Sequence, residues 1–242
     1  MRTRHVVLSV LLSALPSLLC WAGLITTYTE DFEGTLQDSY FRTGLGDVIV
    51  PDGGNLGAYL RNPAYASAVP VIEDSAFNVF TAAWTQQGVA GLGIDVNVFA
   101  LSGAADDRPV SLGLLGGVRV DGEWTACELV LTGKEMPQPG SGWKSYDFNV
   151  PVYRRHMPVK WTVHGPCAGL PRDDVWSAVV ARIAAVRFYV GDPYVSYDPQ
   201  VWDIGFDNAR ITLGKFVDHT NAGSRVLGEP SVPVTVLPDS GE

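Results

Sequence analysis

Three carboxylates sit where a carboxylate needs a partner. Asp207 interrupts the strand-like run W-D-I-G-F-D-N-A-R-I-T-L at 202–213, and Asp31 and Glu33 flank Phe32 in E-D-F-E-G at 30–34. Side chains alternate across a strand, so Trp202, Ile204 and Phe206 share one face, and Asp207 shares the other with Ala209, Ile211 and Leu213. The apolar face therefore changes side at Asp207. The run holds either a bulge or a passage between two packing environments, and Asp207 is expected in line with core-facing residues. Desolvating an ionised carboxylate without a partner is unfavourable. Arg210 or backbone N–H groups are one answer. The other is a hard cation: if the first and last strands meet, Asp31, Glu33 and Asp207 converge, and calcium takes such oxygens together with loop carbonyls. Asp52 in P-D-G-G-N and the acidic pair Asp106 and Asp107 could supply further oxygens.

Other reactive groups are sparse. Past the first 22 residues the histidines are His156, His164 and His219, none in a His-x-x-x-His pair or beside a Gly-x-Ser-x-Gly elbow. Y-R-R-H at Tyr153, Arg154, Arg155 and His156 has the types a polysaccharide lyase uses, a Tyr or His base with Arg to neutralise a uronate; a solvated loop is the plainer reading. Glu128 and Asp95 each stand alone in their strands, without the paired carboxylates of a glycosidase close in sequence. The aromatics say more. Sugars stack their C–H faces on exposed rings, and Trp143, Trp161, Tyr194 and Tyr197 sit nearest to loops, whereas Trp124 and Trp202 are expected in the core.

The elements that must position these residues are strands. Strand-like segments fall at 27–32, 47–50, 58–61, 77–81, 93–99, 109–115, 124–131, 145–150, 186–190 and 202–213, separated by turns rich in Gly and Pro. One short helix follows Asp173 or Asp174, with Val175, Trp176, Val179, Val180 and Ile183 on one face. This pattern predicts an all-β protein, a β-sandwich of jelly-roll type with one short helix, over residues 23–213. Residues 214–242 lose periodicity and carry Pro230, Pro233 and Pro238, as expected of a flexible tail or linker.

The opening D-F-E-G and the closing F-D-N-A-R-I-T resemble the terminal strands of galactose-binding-like jelly rolls, a group that includes many carbohydrate-binding modules of secreted bacterial proteins. The resemblance covers only these two segments. It implies a structural calcium held by an acidic residue of the first strand, Glu33 or Asp31, and by Asp207 of the last.

Composition sets the compartment and narrows the partners. Residues 1–22 read as a secretory signal peptide: Arg2, Arg4 and His5, then an apolar run, then Cys20-Trp21-Ala22 for cleavage. Cleavage there leaves 15 Lys and Arg against 26 Asp and Glu, a formal charge of −11 with no basic cluster for nucleic acid. No membrane span is expected in the mature chain. Cys127 and Cys167 remain, and two cysteines in an exported chain predict a disulfide, worth roughly 3–4 kcal/mol for a loop of this length.

Together these readings predict a secreted, periplasmic or cell-surface protein that binds polysaccharide without catalysis and carries structural calcium. The competing readings are a polysaccharide lyase or hydrolase on the same scaffold, and a structural surface or matrix protein.

Overall fold

The computed structural model describes residues 7–8, 25–76, 78–103 and 107–214. The expected signal peptide, apart from Val7 and Leu8, and the expected tail beyond Gly214 lie outside the described residues, as do Phe77 and Asp106.

Twelve strands appear among the described residues: β1 (Val7–Leu8), β2 (Ile25–Glu30), β3 (Val48–Val50), β4 (Tyr59–Ser67), β5 (Val71–Asp74), β6 (Val89–Leu101), β7 (Pro109–Val120), β8 (Glu123–Glu135), β9 (Lys144–Asn149), β10 (Trp161–His164), β11 (Ile183–Val190) and β12 (Gln200–Gly214). They form two antiparallel sheets, a sandwich of jelly-roll type. In the larger sheet β12 is central. Strand β6 runs along one side of it, and the other side is shared by β4 over the first half and β2 over the second. Strand β9 extends the sheet beyond β6, β3 beyond β4, and the two residues of β1 beyond β2. The smaller sheet has the order β10-β8-β7-β11-β5.

Alternation assigns the faces. In β6, Leu92, Ile94, Val96 and Val98 enter the core, leaving Gly93, Asp95, Asn97 and Phe99 on the outer face. Val110, Leu112 and Leu114 of β7 and Val186, Phe188 and Val190 of β11 meet them from the smaller sheet. Helix α1 (Trp84–Gln87) is a single turn. Helix α2 (Arg172–Ala181) packs against β7 and β8, burying Val175, Trp176, Val179 and Val180. Pro171 precedes α2, and Asp173 and Asp174 sit in its first turn, where carboxylates complement the positive end of a helix. Among the described residues no helix is long and apolar enough to cross a membrane.

Two local expectations are corrected, and two strands were missed. Residues 78–81 form a bend rather than a strand, because Asn78 Oδ1 accepts from Phe80 N and Thr81 Oγ1 from Asn78 N. Strands β5 and β10, of four residues each, were too short to show a period. Ile183 opens β11 instead of ending the helix.

The sandwich fully encloses one carboxylate at the end of β5, Asp74. Burial pushes its pKa up to about 6; Asn78 and Ala76 oppose the rise by donating hydrogen bonds, and nearby Glu30 and Glu73 reinforce it. A raised carboxylate stabilises the fold below its unfolded value near 4, and that contribution is lost as pH rises through about 6. The melting temperature should therefore drop by about 5 °C between pH 4.5 and pH 8 through this group, and Asp74→Asn should flatten that part of the profile. A thermal-melt series over this range in wild type and variant checks it; parallel profiles would contradict the assignment.

Candidate ligand face and cation site

The sequence poses its question at Asp207, and β12 answers it with a bulge. The register against β6 shifts between Asp207 and Arg210, and Asn208 takes a left-handed φ of 47°. One extra residue moves the phase, so Trp202, Ile204, Phe206, Ala209 and Ile211 all enter the core. Asp207 is thereby kept on the outer face, opposite Asp95 of β6, and is not in line with the core residues as expected. It is nonetheless only 1 % exposed. Asn55, in the loop of residues 51–57, donates its N–H to Asp207 Oδ2 at 2.7 Å, and Asn208 N donates to Oδ1 at 2.7 Å. Trp143 helps to hold this loop down by donating its indole N–H to Gly53 O at 2.9 Å.

Arg210 does not answer Asp207. Its guanidinium pairs with Asp95 Oδ1 at 2.9 Å and Asp147 Oδ1 at 2.8 Å. Burial opposes ionisation of Asp95, yet donors from Ser145, Asn55 and Arg210 hold it below the usual carboxylate range. Asp207 moves the other way. Burial pushes it up to about 7, its two backbone donors offset only part of this, and Asp95 and Asp31 add repulsion.

Oxygens nevertheless gather beside it. A Cβ placed on Gly54 would meet Asp207 Oδ2 at 2.7 Å, Gly57 O at 2.7 Å and Ala58 O at 2.9 Å. Glu33 reaches the same loop, where its Oε1 accepts the Ala58 N–H at 2.9 Å. Asp31 is half-buried and accepts the Glu33 N–H. Among the described residues no three acidic, histidine or cysteine side chains form a metal-binding group. The three expected carboxylates therefore do not close on one point; Asp207 Oδ2 lies near two loop carbonyls, of which Gly57 O already accepts the Gly54 N–H at 2.8 Å. Asp52 and Asp107 are exposed.

The aromatic residues divide between the two sheets. Trp143 is half-buried on the outer face of the larger sheet, edge-on to Tyr59 and Phe99. Trp161 is 1 % exposed and meets Trp176 edge-on, so it has no free ring face for stacking. Trp202 is in the core, as expected. Trp124 is not: it is 67 % exposed.

Trp124 opens the outer face of the smaller sheet. In β8 the outward row is Trp124, Ala126, Glu128, Val130 and Thr132; in β7 it is Ser111, Gly113, Leu115 and Gly117, which leaves a low floor. The Trp124 ring lies over Gly117, where a Cβ would come within 3.0 Å of it, and the Arg119 guanidinium is 5.6 Å from the ring centroid. Farther along, Glu128 is 7 % exposed and accepts the Tyr189 hydroxyl at 2.6 Å and the Tyr194 hydroxyl at 2.7 Å. Burial, reinforced by the Glu128 charge, holds both phenols above the usual tyrosine range. Arg187 bonds Glu73 at 2.5 Å and approaches Glu128 at 3.5 Å. His164 of β10 stacks on Tyr194 at 3.6 Å between centroids, 7° from parallel. Ser111 Oγ, in the same face, is buried with no hydrogen-bond partner among the described residues. Tyr197, in the same loop as Tyr194, instead lies under the Arg108 guanidinium at 4.2 Å.

Of the expected ligand residues, Tyr194 alone joins this face directly. Trp124, Glu128, His164 and Arg187 were missed as ligand groups, although a parity signal existed: Trp124 and Glu128 are four residues apart in one strand and so share a face. Y-R-R-H forms no such constellation. His156 is 80 % exposed and pairs with Asp173 at 2.6 Å, beside the start of α2. The expected disulfide is present: Cys127 of β8 bonds Cys167 in the turn after β10.

No protein-family model matches the chain, and no curated protein matches it. Solved structures resemble it, among them these three. An exo-β-agarase aligns at 15 % identity and a TM-score of 0.38, over 75 % of this chain and 24 % of the agarase, so the chain spans about a quarter of that protein's length. A family 30 carbohydrate-binding module aligns at 14 % identity and 0.37, over 74 % of this chain and 89 % of the module. CtCBM11 aligns at 14 % identity and 0.38, over 83 % and 100 %. Likenesses of this size assign neither a family nor an activity.

Proposed function

We propose that the protein is an exported, non-catalytic carbohydrate binder whose site is the outer face of the β10-β8-β7-β11-β5 sheet. One observation carries the reading: an exposed tryptophan over a glycine floor continues into a stacked His164–Tyr194 pair and the Glu128–Arg187–Glu73 network. A pyranose ring has apolar C–H faces and polar hydroxyl edges. Trp124 and the His164–Tyr194 stack supply surfaces for the first, and the charged network supplies donors and acceptors for the second. Two tyrosine hydroxyls already occupy the Glu128 carboxylate, which suits an acceptor held in place more than a nucleophile. The test is a polysaccharide and glycan-array screen of the mature protein, with product analysis. Retention without released sugars is the expected result; unsaturated or reducing ends would favour a lyase or hydrolase instead.

The same reading includes a structural calcium at Asp207. Gly57 O and Ala58 O lie near a buried carboxylate that Asp95 and Asp31 repel, and such oxygens suit a hard cation. Asp207 would hold it with those carbonyls, and Glu33 and Asp31 would add charge nearby. Bound there, calcium would supply the positive charge that Arg210 gives to Asp95 instead, and would tie residues 51–57 to β12. Chelator should then lower the wild-type melting temperature, and Asp207→Ala should erase that sensitivity. An unchanged wild-type melt, with no metal found by elemental analysis, would leave the two backbone hydrogen bonds as Asp207's only partners.

A further inference from the structure

A second recessed surface begins at Thr132, at the end of the outward β8 row opposite to Trp124. It is an open groove of about 440 Å³ where the ends of β8 and β9 meet the chain entering β10. That volume falls within the range of small-ligand sites. Leu131, Phe148 and the prolines 151 and 158 give it an apolar lining, and proline backbones limit how far its walls can shift.

Charge sets this groove apart from the rest of the molecule. The chain carries a formal charge of −9, and of its ten described arginines Arg154 is the one that lines the groove. Lys134, Arg154 and Lys160 do line it, all three are exposed, and none forms an ion pair with a described residue. The single acid in the lining, Asp147, bonds Arg210 at 2.8 and 3.1 Å, a cation that it shares with Asp95, so three cations face one partly compensated carboxylate. The groove is therefore a local excess of positive charge on an acidic protein, a setting that concentrates anions. Arg154 also belongs to the Y-R-R-H segment that the proposed stacking face leaves unexplained.

We propose that this groove is a second binding site, for an anionic saccharide bearing uronate carboxylates or sulfate esters. The three cations would meet the charges, and Asn149 and Thr132 would meet hydroxyls. The choice of a saccharide rests on the carbohydrate-binding reading; the choice of an anion rests on the groove alone.

Calorimetric titration of the mature protein separates the two sites. The probes are a polygalacturonate hexasaccharide, a sulfated galactan hexasaccharide, a neutral hexasaccharide retained in the glycan screen, and inorganic sulfate. At least one anionic hexasaccharide should bind wild type, weaken as salt rises, and weaken at least tenfold in the Lys134→Gln/Lys160→Gln double variant. Its binding should persist in Trp124→Ala, while the neutral ligand should show the opposite pattern. Both variants change exposed side chains, and unchanged thermal melts would confirm that they fold. Failure of both anionic hexasaccharides to bind, or equal binding in the double variant, overturns the proposal without touching the stacking face. Sulfate alone binding as tightly as the hexasaccharides overturns the saccharide assignment.

Discussion

Trp124→Ala is expected to weaken retention on a polysaccharide bound at the proposed stacking face by about 10- to 100-fold. A ring buried by a sugar is worth roughly 1.5–3 kcal/mol, and each 1.4 kcal/mol is a tenfold change in affinity. The ring is 67 % exposed and touches the protein chiefly at Gly117 and Arg119, so the melting temperature should move by no more than about 2 °C. Trp143→Ala provides the contrast. Trp143 holds Gly53 and packs against Tyr59 and Phe99, so its loss should lower stability and leave sugar binding on the opposite sheet intact. Affinity electrophoresis or titration of both variants reads the difference. If Trp143→Ala abolished binding and Trp124→Ala did not, the site would belong to the larger sheet.

The second large effect is on stability. The disulfide joins residues 40 apart in sequence, and both cysteines are fully buried. In the chain-entropy account, such a cross-link stabilises by roughly 3–4 kcal/mol. Replacing Cys127 and Cys167 by serine should therefore lower the melting temperature by roughly 6–16 °C for a domain of this size. The unreduced protein should show no free thiol. Function follows stability here, because the bond ties β8, which carries Trp124 and Glu128, to the turn immediately after His164 in β10. Reduction should loosen His164 and its stack on Tyr194, weakening sugar binding below the global melt. An unshifted melt in the double serine variant would mean that the buried contacts around both cysteines supply the stability.

The fold class was legible because β6, β7 and β12 are long enough to display period two, and the turns between strands carry the Gly and Pro that stop a strand. The disulfide was legible because the expected signal-peptide cleavage leaves only Cys127 and Cys167. In β12 the alternating residues disclosed a change of phase at Asp207. They did not disclose which side kept the carboxylate, since that depends on the left-handed turn at Asn208 and on β12 having β4 as neighbour first and β2 afterwards. Nor could Arg210 be steered to Asp95 and Asp147 before β6 and β9 were known to lie beside β12.

The tryptophans mark the same boundary. Residue type and closeness to a loop placed Trp161 outside and Trp124 inside, and the fold reverses both. Trp161 lies in a four-residue strand beside Leu131 of β8, too short to show a face, and Trp176 of α2 covers its ring. Trp124 shares the parity of Glu128, an outward residue, and the glycine beneath it belongs to another strand. The sequence by itself determined the strand periodicity, the turns, the pairable cysteines and the presence of carboxylates that need partners, because these depend on neighbours along the chain. Which tryptophan meets solvent, which cation meets which acid, and where three lysine and arginine side chains line one groove depend on neighbours across the sheets, and only the tertiary structure decided them.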